Sequence, residues 1–519
     1  METVKFNFRK LANEMYWQGL RKGLIIRPSR EDLRELAKKR AKITKYGSLS
    51  FIGKIRSRSA KFTKSTLDDK FTEEDYRTLE EVQKYVKNTR FVCVDRVMGR
   101  NKDSKLLCRL IISLPWAYVG YAWGEILDDP EEDTTDADPD LITISMPEWK
   151  ERKILVDGPS GVTIALGSDY IGEKKKSFLR MWMFKMKQRG KLGLHAGSKL
   201  VIIKDKKTGK LRQFGQLYMG LSATGKSTLT IHGFYLKGEE KCLLYQDDVG
   251  AITFNGEYWG TEGRGMFVKT DGLNPVDQPE IYYAVISPNA ILENVWVDEN
   301  GEVDFYNTTL TSNGRAVILR KDVANASIDI DLPKVDQIFF LTRNPLAPAV
   351  AKLPTNMAAA FFMLGESVES SAGDPSRAGQ SVRVVGTNPF IIGPKSEEGN
   401  LFLEILKKNP QIECFLLNTG SVGEGTRQLK ITLANTIKII LSIINNEIKW
   451  KRDPYWKYFI AEKIEGIEEE KLDPSKIYEE REYLEKCEKL RQERLEWLKQ
   501  FEGLNPEIIA SIENTGFDI

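Results

Sequence analysis

The segment Gly215–Thr230, "GQLYMGLSATGKSTLT", contains residues whose types and spacing suit phosphate binding. Gly220, Gly225, Lys226 and Ser227 match the pattern G-x-x-x-x-G-K-[ST]. The glycines allow backbone N–H groups to close around phosphate oxygens, the lysine reaches the β and γ phosphates, and the hydroxyl binds Mg²⁺. The alternative is an ordinary glycine-containing turn, so the elements on either side must decide between the two.

The flanking elements favour a phosphate loop. "RQFGQLYM" is typical of a strand entering the loop, and "KSTLTIH" can open a short helix that stops at Gly233. Strand, loop and helix in this order place backbone N–H groups and a helix N-terminus at the phosphates. The residues predicted to bind the nucleotide are Gly220, Leu221, Ser222, Ala223, Thr224, Gly225, Lys226, Ser227 and Thr228.

A pair of carboxylates follows a second predicted strand. In "CLLYQDDVG", Asp247 and Asp248 come after four apolar or aromatic residues and some twenty residues after the loop. A phosphate loop needs an acid at the end of a neighbouring strand to hold its metal ion. Two aspartates at the end of a strand more often mark a simple turn, but their position some twenty residues after the loop favours metal binding.

Histidine occurs only at His195 and His232. His195, in "GKLGLHAGSK", precedes the strands that lead to the loop, whereas His232 lies in the predicted helix after the loop and is predicted to be structural. A lone histidine is more often structural than a ligand, so the residues alone favour a structural role for His195. Likewise "EKKKS" (Glu173–Ser177) is more simply a solvated helix end.

Composition excludes several classes of protein. The 77 basic and 74 acidic residues leave a net charge of +3, which gives no reason to expect nucleic acid as a partner. The five cysteines form no C-x-x-C pair and suit reduced thiols in the cytoplasm. No apolar run reaches the ~18 residues of a membrane span, and the N-terminus lacks an apolar signal region.

The 519 residues are too many for one ordinary core, so two or three lobes are expected. In the second half, strand-like and helix-like segments alternate, which predicts an α/β nucleotide domain on a mixed sheet. The acidic stretch Asp128–Asp140 is typical of a solvated surface loop. Near the C-terminus one helical face is predicted to pack in the core: Leu484, Cys487, Leu495 and Leu498.

Together these segments resemble the ATP-dependent phosphoenolpyruvate carboxykinase family, whose phosphate loop reads GLSGTGKTTLS. Here Ala223 replaces a glycine and Ser227 a threonine. The resemblance extends over nearly the whole chain and keeps the family's order of motifs. The further segments that carry it are "IRSRSAKF" with Arg58, "YIGEKKKS" with Tyr170, Lys175 and Lys176, "YQDDVG", "AILENVWV" with Glu293, "TSNGRAV" with Arg315, and "LLNTGSVGEGTR" with Arg427.

The resemblance implies an α/β, two-lobed carboxykinase-like fold with a P-loop nucleotide-binding domain on a mixed sheet. Residues 1–190 would form the N-terminal substrate-side lobe. Residues 191–519 would form the P-loop nucleotide-binding lobe, with a candidate lid at 365–386 and the site between the lobes.

The resemblance also implies an activity: reversible decarboxylation and phosphorylation of oxaloacetate by ATP to give phosphoenolpyruvate, CO₂ and ADP, in a gluconeogenic or anaplerotic role. Mn²⁺ would be bound by Lys176, His195 and Asp248, and Mg²⁺ by Ser227. The implied catalytic residues are Lys176, His195, Lys226, Asp247 and Arg315; the substrate would contact Arg58, Tyr170, Lys176, Ser222 and Arg315; and, beyond the loop, the nucleotide would contact Glu293, Arg315, Arg427 and Gln428.

The sequence departs from the family on the acid-binding side and at the lid. "RSRSAKF" lacks the proline and aspartate of TGRSPKD, Gln246 stands where the family has glycine, and the lid segment Gly365–Gly379 lacks the family's G-T-E-R-G arginine. These changes motivate an alternative, a small-molecule kinase with another acceptor. A nucleotide-binding regulator without turnover is a third reading, against which the complete set of transfer residues argues. The oligomeric state stays open.

Overall fold

The computed structural model of the protein describes residues 6–56, 59–69, 71–221, 224–368 and 381–516. The chain divides into two compact units. The first comprises Met1–Met186, Thr261–Ala326 and Phe390–Gly393; the second comprises Lys187–Gly260, Ser327–Pro389 and Pro394–Ile519. The two lobes predicted from the sequence, residues 1–190 and 191–519, stay a prediction.

Helices occur throughout the described part of the chain. In chain order they are α1 (Phe8–Arg21), α2 (Arg30–Lys38), α3 (Glu73–Tyr85), α4 (Ala117–Gly124), α5 (Ile171–Gln188), α6 (Lys226–Ile231), α7 (Pro279–Val285), α8 (Thr355–Leu364), α9 (Lys395–Lys408), α10 (Leu433–Ile444), α11 (Glu469–Leu472), α12 (Glu480–Lys499) and α13 (Pro506–Glu513). No helix among the described residues combines the length and the apolar character needed to cross a bilayer.

The strands of the described residues are numbered in the same way. They are β1 (Ile25–Ile26), β2 (Lys42–Ile43), β3 (Leu49–Phe51), β4 (Thr63–Ser65), β5 (Phe91–Met98), β6 (Leu106–Ser113), β7 (Leu141–Met146), β8 (Lys153–Asp157), β9 (Val162–Leu166), β10 (Leu192–Leu194), β11 (Ala196–Lys204), β12 (Leu211–Met219), β13 (Lys241–Gln246), β14 (Gly250–Ile252), β15 (Tyr258–Gly260), β16 (Gly265–Lys269), β17 (Ile291–Glu293), β18 (Trp296–Val297), β19 (Val303–Asp304), β20 (Arg315–Leu319), β21 (Gln337–Thr342), β22 (Val350–Leu353), β23 (Glu366–Val368), β24 (Ser381–Arg383), β25 (Glu413–Asn418), β26 (Ser421–Val422), β27 (Leu429–Lys430), β28 (Trp450–Arg452) and β29 (Phe459–Ala461).

The first unit contains two mixed sheets. Seven strands follow the order β1-β5-β6-β7-β9-β8-β4, and five follow the order β16-β20-β17-β3-β2. The central strands of the larger sheet are buried along nearly their whole length. Their β-branched and aliphatic residues suit strands that are covered on both faces.

The second unit is organised around a mixed sheet of eight strands in the order β13-β11-β12-β21-β25-β22-β29-β28. β12, β21 and β25 run parallel, whereas β11 is antiparallel to both of its neighbours, β12 and β13. Helix α10 packs its isoleucines against one face of this sheet in a continuous apolar cluster. The mixed α/β prediction is therefore confirmed.

Two local predictions can be compared with the structure. The C-terminal stripe is confirmed, because Leu484, Cys487, Leu495 and Leu498 are all buried on α12. The acidic segment is more than a solvated loop, since Thr134 accepts a hydrogen bond from Arg109 and donates one to Asp95. These bonds attach part of the segment to the buried strands.

Candidate active site

Strand direction in the second unit brings the ends of several strands to one edge of the sheet. Ala196 at the start of β11 pairs with Met219 at the end of β12, and Ser198 pairs with Gln246 at the end of β13. Because β11 runs opposite to both neighbours, the residues just before β11 and just after β12 and β13 lie at the same edge. That edge therefore carries His195, the phosphate loop and the two aspartates.

The predicted phosphate loop lies between β12 and α6, so the predicted order of strand, loop and helix is present. The backbone of Gly225 has φ +90°, a left-handed conformation that favours glycine directly before the helix. A side chain at Gly220 would collide with the Thr224 hydroxyl, which donates to the Leu221 carbonyl at 2.8 Å. Steric constraints therefore favour glycine at both positions. Ser222 and Ala223 lie outside the described residues.

Three predicted residues meet beside this loop. Oδ1 of Asp248 is 3.2 Å from the Lys226 ammonium and 3.0 Å from Nε2 of His195. All three side chains are mostly buried, with 10 to 13% of each exposed. The lysine, the histidine and the second aspartate therefore form one cluster at the sheet edge, which sequence spacing alone left open.

The two ring nitrogens of His195 face different oxygens. Nδ1 lies 2.8 Å from the carbonyl of Thr387, which can only accept, so Nδ1 carries the proton. Nε2 then faces the Asp248 carboxylate, and a proton or a metal ion between them satisfies both groups. An imidazole nitrogen held by a second hydrogen bond next to a carboxylate oxygen is a donor set that suits a divalent ion.

The wider metal set is divided between the units. Lys176 belongs to the first unit, whereas His195 and Asp248 belong to the second. Among the described residues, no three His, Cys, Asp or Glu side chains are grouped closely enough to hold a metal ion. The expected manganese set includes a lysine, which such a grouping does not count, so that set stays a prediction.

A buried lysine supports the helix that follows the loop. Lys199 is fully buried, and its ammonium donates to the carbonyls of Leu229 and His232 at 2.6 and 2.8 Å. The ammonium also lies 3.3 Å from the centre of the Phe234 ring. A cation at a helix C-terminus binds the carbonyls that lack helical partners. The sequence around Lys199 gives no sign of this role, because a lysine within a strand is usually solvated.

In the first unit, several predicted substrate-side residues surround Phe267. The Tyr170 ring meets it edge-on with centroids 6.0 Å apart, and the Arg315 guanidinium lies 5.8 Å from its centroid. The Lys175 ammonium also lies 5.8 Å from the ring and is paired with Glu262 at 2.9 Å. Phe267 was missed in the sequence, because an aromatic residue in a strand is usually a core residue.

The lysines at the start of α5 are not a solvated helix end. Lys174 is fully buried and donates to the carbonyl of Ser168 at 2.7 Å; burial lowers its pKa to about 8. Lys175 is also buried, and the Lys176 ammonium lies 4.5 Å from the centre of the Phe390 ring. Burying adjacent ammonium groups carries a desolvation cost that a solvated helix end avoids, which favours a functional reading of this segment.

Glu293 is fully buried in the first unit. One carboxylate oxygen accepts the N–H of Ile171 at 2.7 Å, while the other has no hydrogen-bond partner among the described residues. Burial raises the pKa of Glu293 to about 8, and Asp169 adds to this, although Arg315 opposes it. A carboxyl group that stays protonated near neutral pH can donate a hydrogen bond.

The segment that leads to Arg58 is attached close to Tyr170. The two carboxylate oxygens of Asp169 accept the N–H groups of Lys54 and Ile55 at 2.8 and 2.9 Å. Arg58 itself lies outside the described residues, so its contacts stay a prediction.

Arg427 has a partner that the sequence did not suggest. Its guanidinium forms two hydrogen bonds with the Glu482 carboxylate on α12, at 2.7 and 2.8 Å, and lies over the Tyr478 ring. Gln428 donates to the Ser421 hydroxyl at 2.7 Å. Both residues belong to the second unit, and their contact with a nucleotide stays a prediction.

The two ends of the candidate lid are held together. Glu366 and Arg383 begin and end a small antiparallel pair, β23 and β24, and the residues between, 369–380, lie outside the described part of the chain. The Glu366 carboxylate is bound by Arg383 at 3.1 Å, by Arg494 of α12 at 2.7 Å and by the Asn344 amide at 2.8 Å.

Comparisons with known proteins find matches over most of the chain. A family model described as phosphoenolpyruvate carboxykinase matches residues 24–470. Three curated relatives are named phosphoenolpyruvate carboxykinase (ATP). The protein from Aeropyrum pernix is 33% identical over 480 residues, which cover 91% of this chain and 94% of the relative. The protein from Brucella melitensis is 26% identical over 404 residues, 73% of this chain and 70% of the relative, and that from Sinorhizobium fredii is 23% identical over 519 residues, 91% and 87%.

Proposed function

Since the chain belongs to the ATP-dependent phosphoenolpyruvate carboxykinase family, we infer that it is an enzyme that converts oxaloacetate and ATP reversibly to phosphoenolpyruvate, CO₂ and ADP. The comparisons favour this activity over a kinase with another acceptor. The observation that carries it in this chain is the cluster of Lys226, His195 and Asp248 beside the phosphate loop.

The reaction has two steps that together conserve atoms and charge. The bond between the methylene carbon of oxaloacetate and its outer carboxylate breaks, CO₂ leaves, and the electron pair forms the enolate of pyruvate. The enolate oxygen then attacks the γ-phosphorus in line, an O–P bond forms, and ADP leaves with the electrons of the broken bond.

The phosphate loop and Lys226 bind the phosphates of ATP, and the Ser227 hydroxyl lies at the first turn of α6. Lys226 offsets the charge that develops on the phosphoryl group during transfer, and Arg315 has the same role. Arg315 suits it because its Nε is buried without a hydrogen-bond partner among the described residues. Asp247 lies next to the cluster, and Glu293, Arg427 and Gln428 contact the rest of the nucleotide. These roles follow the resemblance, within a two-lobed fold.

The donor atoms of His195 and Asp248 suit a divalent ion, and we assign Lys176 to the same ion because of the resemblance. Mn²⁺ at these residues and Mg²⁺ at Ser227 would supply neutralisation of the enolate and phosphate oxygens. The chain itself fixes the imidazole through the Thr387 carbonyl and holds the carboxylate through Lys226.

Tyr170, Arg58 and Ser222 bind the oxaloacetate side. The attachment of residues 54 and 55 to Asp169 supports a position for the Arg58 segment near Tyr170. The five cysteines are buried and form no disulfide, which supports the proposal that the enzyme works in the cytoplasm.

The decisive assay is phosphorus NMR of purified protein with ATP, oxaloacetate, Mn²⁺ and Mg²⁺, which resolves phosphoenolpyruvate and ADP in one sample. We expect both products in equal amounts, and both to form about 10²- to 10³-fold more slowly with Lys226→Ala. Formation of ADP without phosphoenolpyruvate, enhanced by another acceptor, would contradict the assignment and favour a kinase.

A second experiment tests the acid-binding segment. Arg58→Lys keeps the positive charge but loses the fork that binds a carboxylate through two parallel hydrogen bonds. We expect kcat/KM for oxaloacetate to fall roughly 30- to 1000-fold, with nucleotide affinity nearly unchanged. Arg56→Lys is the matched control, because Arg56 donates to the Leu310 carbonyl. Equal effects of the two substitutions would remove Arg58 from the substrate site.

A further inference from the structure

Arg343 directly follows β21, the middle one of the parallel strands β12, β21 and β25. These strands end at the edge of the sheet that carries the phosphate loop. The N–H of Thr419 donates to the Thr342 carbonyl at 2.9 Å, and the Thr419 hydroxyl donates to the Thr224 carbonyl at 2.7 Å. Since Thr224 belongs to the phosphate loop, Arg343 is one residue away from a strand end that hydrogen bonds tie to that loop.

The stem of Arg343 lies against Gly420. A methyl group at residue 420 would stand 3.0 Å from Cβ and 3.1 Å from Cγ of Arg343, closer than ordinary carbon contacts. Glycine at this position therefore leaves room for the arginine stem at the edge of the sheet.

The charge of Arg343 is not matched by the described residues. Its guanidinium has no hydrogen-bond or ion-pair partner among them, and Nε is buried. Burial lowers the pKa of Arg343, with no acidic neighbour to oppose it. A partly desolvated cation without an anion is unfavourable, and buried polar groups in proteins usually have partners. Lys226, by contrast, already contacts Asp248.

We propose that Arg343 binds the phosphate chain of the nucleotide that the phosphate loop holds. The proposal rests on the proposed function, and it adds a nucleotide-binding residue that the phosphate-loop pattern does not contain. A guanidinium presents a fork of donors that fits two phosphate oxygens, and the side chain is long enough to reach over the loop from the end of β21. The nucleotide phosphates supply the anion that the protein does not.

Isothermal titration calorimetry with ADP tests this in the full-length protein. We expect Arg343→Gln to weaken ADP binding about 10- to 100-fold, the contribution of hydrogen bonds to a charged group, and Arg343→Lys to recover part of that loss. Arg212→Gln is the matched control, because Arg212 lies near the opposite end of β12, pairs with Asp205 and packs on Phe214. It should bind ADP within twofold of the parent.

Three results would overturn the proposal: ADP affinity within twofold of the parent in Arg343→Gln, an equal loss in Arg212→Gln, or a lysine variant as weak as the glutamine variant. The melting curve of Arg343→Gln shows whether this variant folds. If it does not fold, Arg343→Lys decides, and we expect its ADP affinity to fall by more than twofold but severalfold less than 100-fold. The NMR assay of the parent separates the two claims. Normal phosphoenolpyruvate formation with unchanged ADP binding in the variant refutes the role of Arg343 alone, whereas absent phosphoenolpyruvate formation with weakened ADP binding refutes the reaction alone.

Discussion

Replacing Arg494 by methionine should destabilise the second unit through Glu366. The Glu366 carboxylate is buried, and burial alone would raise its pKa. The Arg494 guanidinium, with help from Arg383 and Asn344, outweighs burial and lowers that pKa from 4.5 to about 2. Methionine keeps much of the packing on Phe361 and loses the charge.

The magnitude follows from two routes. A pKa lowered by this much corresponds to stabilisation of about 3 kcal/mol at neutral pH, at ~1.4 kcal/mol for each unit. Removing one partner of a buried ion pair costs about 3–5 kcal/mol in other proteins. Because Arg383 remains bound to Glu366, we expect the lower end, about 3 kcal/mol, which accelerates hydrogen exchange roughly 100-fold.

Hydrogen exchange measured by mass spectrometry is the suitable assay, since two compact units need not unfold in one transition. Peptides that cover α12 and β24 should exchange faster in Arg494→Met. Arg491→Met is the control: Arg491 lies on the same helix, but it and its partner Glu488 are 20 and 25% exposed, so its loss should cost under ~1 kcal/mol.

The pH dependence has a definite sign. A carboxyl group whose folded pKa is depressed stabilises the fold above its ordinary pKa, near 4.5, and loses that contribution as pH falls toward about 2. The difference between parent and Arg494→Met should therefore be constant from pH 7 to pH 5 and shrink below pH 4.5. Equal exchange in the Arg494 and Arg491 variants, or a difference that grows on acidification, would refute the reasoning.

Three further predictions concern the phosphate loop and the residues beside it. Lys226→Ala should lower the rate of phosphoryl transfer by about 10²–10³ while the melting curve stays unchanged, and a rate within twofold of the parent would contradict its assigned role. His195→Ala and Asp248→Asn should each raise the Mn²⁺ concentration needed for half-maximal activity at least tenfold, measured in a metal titration at saturating ATP; an unchanged requirement in both would dismiss the site. Lys199→Met should destabilise the second unit by ~1–3 kcal/mol, because two buried carbonyls lose their donor, and a melting temperature equal to that of the parent would show that other groups bind those carbonyls.

Local spacing in the sequence predicted the strand, loop and helix of the phosphate loop, because steric demands on Gly220 and Gly225 act within a few residues. The approach of His195 to Asp248 depends on β11 lying antiparallel between β12 and β13. No local pattern encodes that arrangement, so the resemblance supplied both residues and the pairing of strands supplied the contact.

Other features depend on contacts between residues distant in the chain. Arg427 binds Glu482, which lies 55 residues further on, and the pattern around Arg427 gives no sign of it. Phe267 and Lys199 lie within strands and Arg343 directly follows one, and the sequence pattern singles out none of them. Only the fold shows what lies beside them. Phe267 contacts three predicted site residues, Lys199 binds two carbonyls at the end of α6, and Arg343 lies against a glycine.

The hairpin of β11 and β12 separates its two ends by function. The nine paired residues from Ala196 to Lys204 place His195 and the phosphate loop at one end, and the exposed turn 205–210 at the other. Strand register fixes the end that carries His195 and the phosphate loop, whereas the turn at the other end only has to reverse the chain direction. Extra residues inserted after Thr208 should therefore lengthen the turn without moving His195 or the phosphate loop, which makes this turn a suitable place to graft a peptide tag or a second domain into the enzyme.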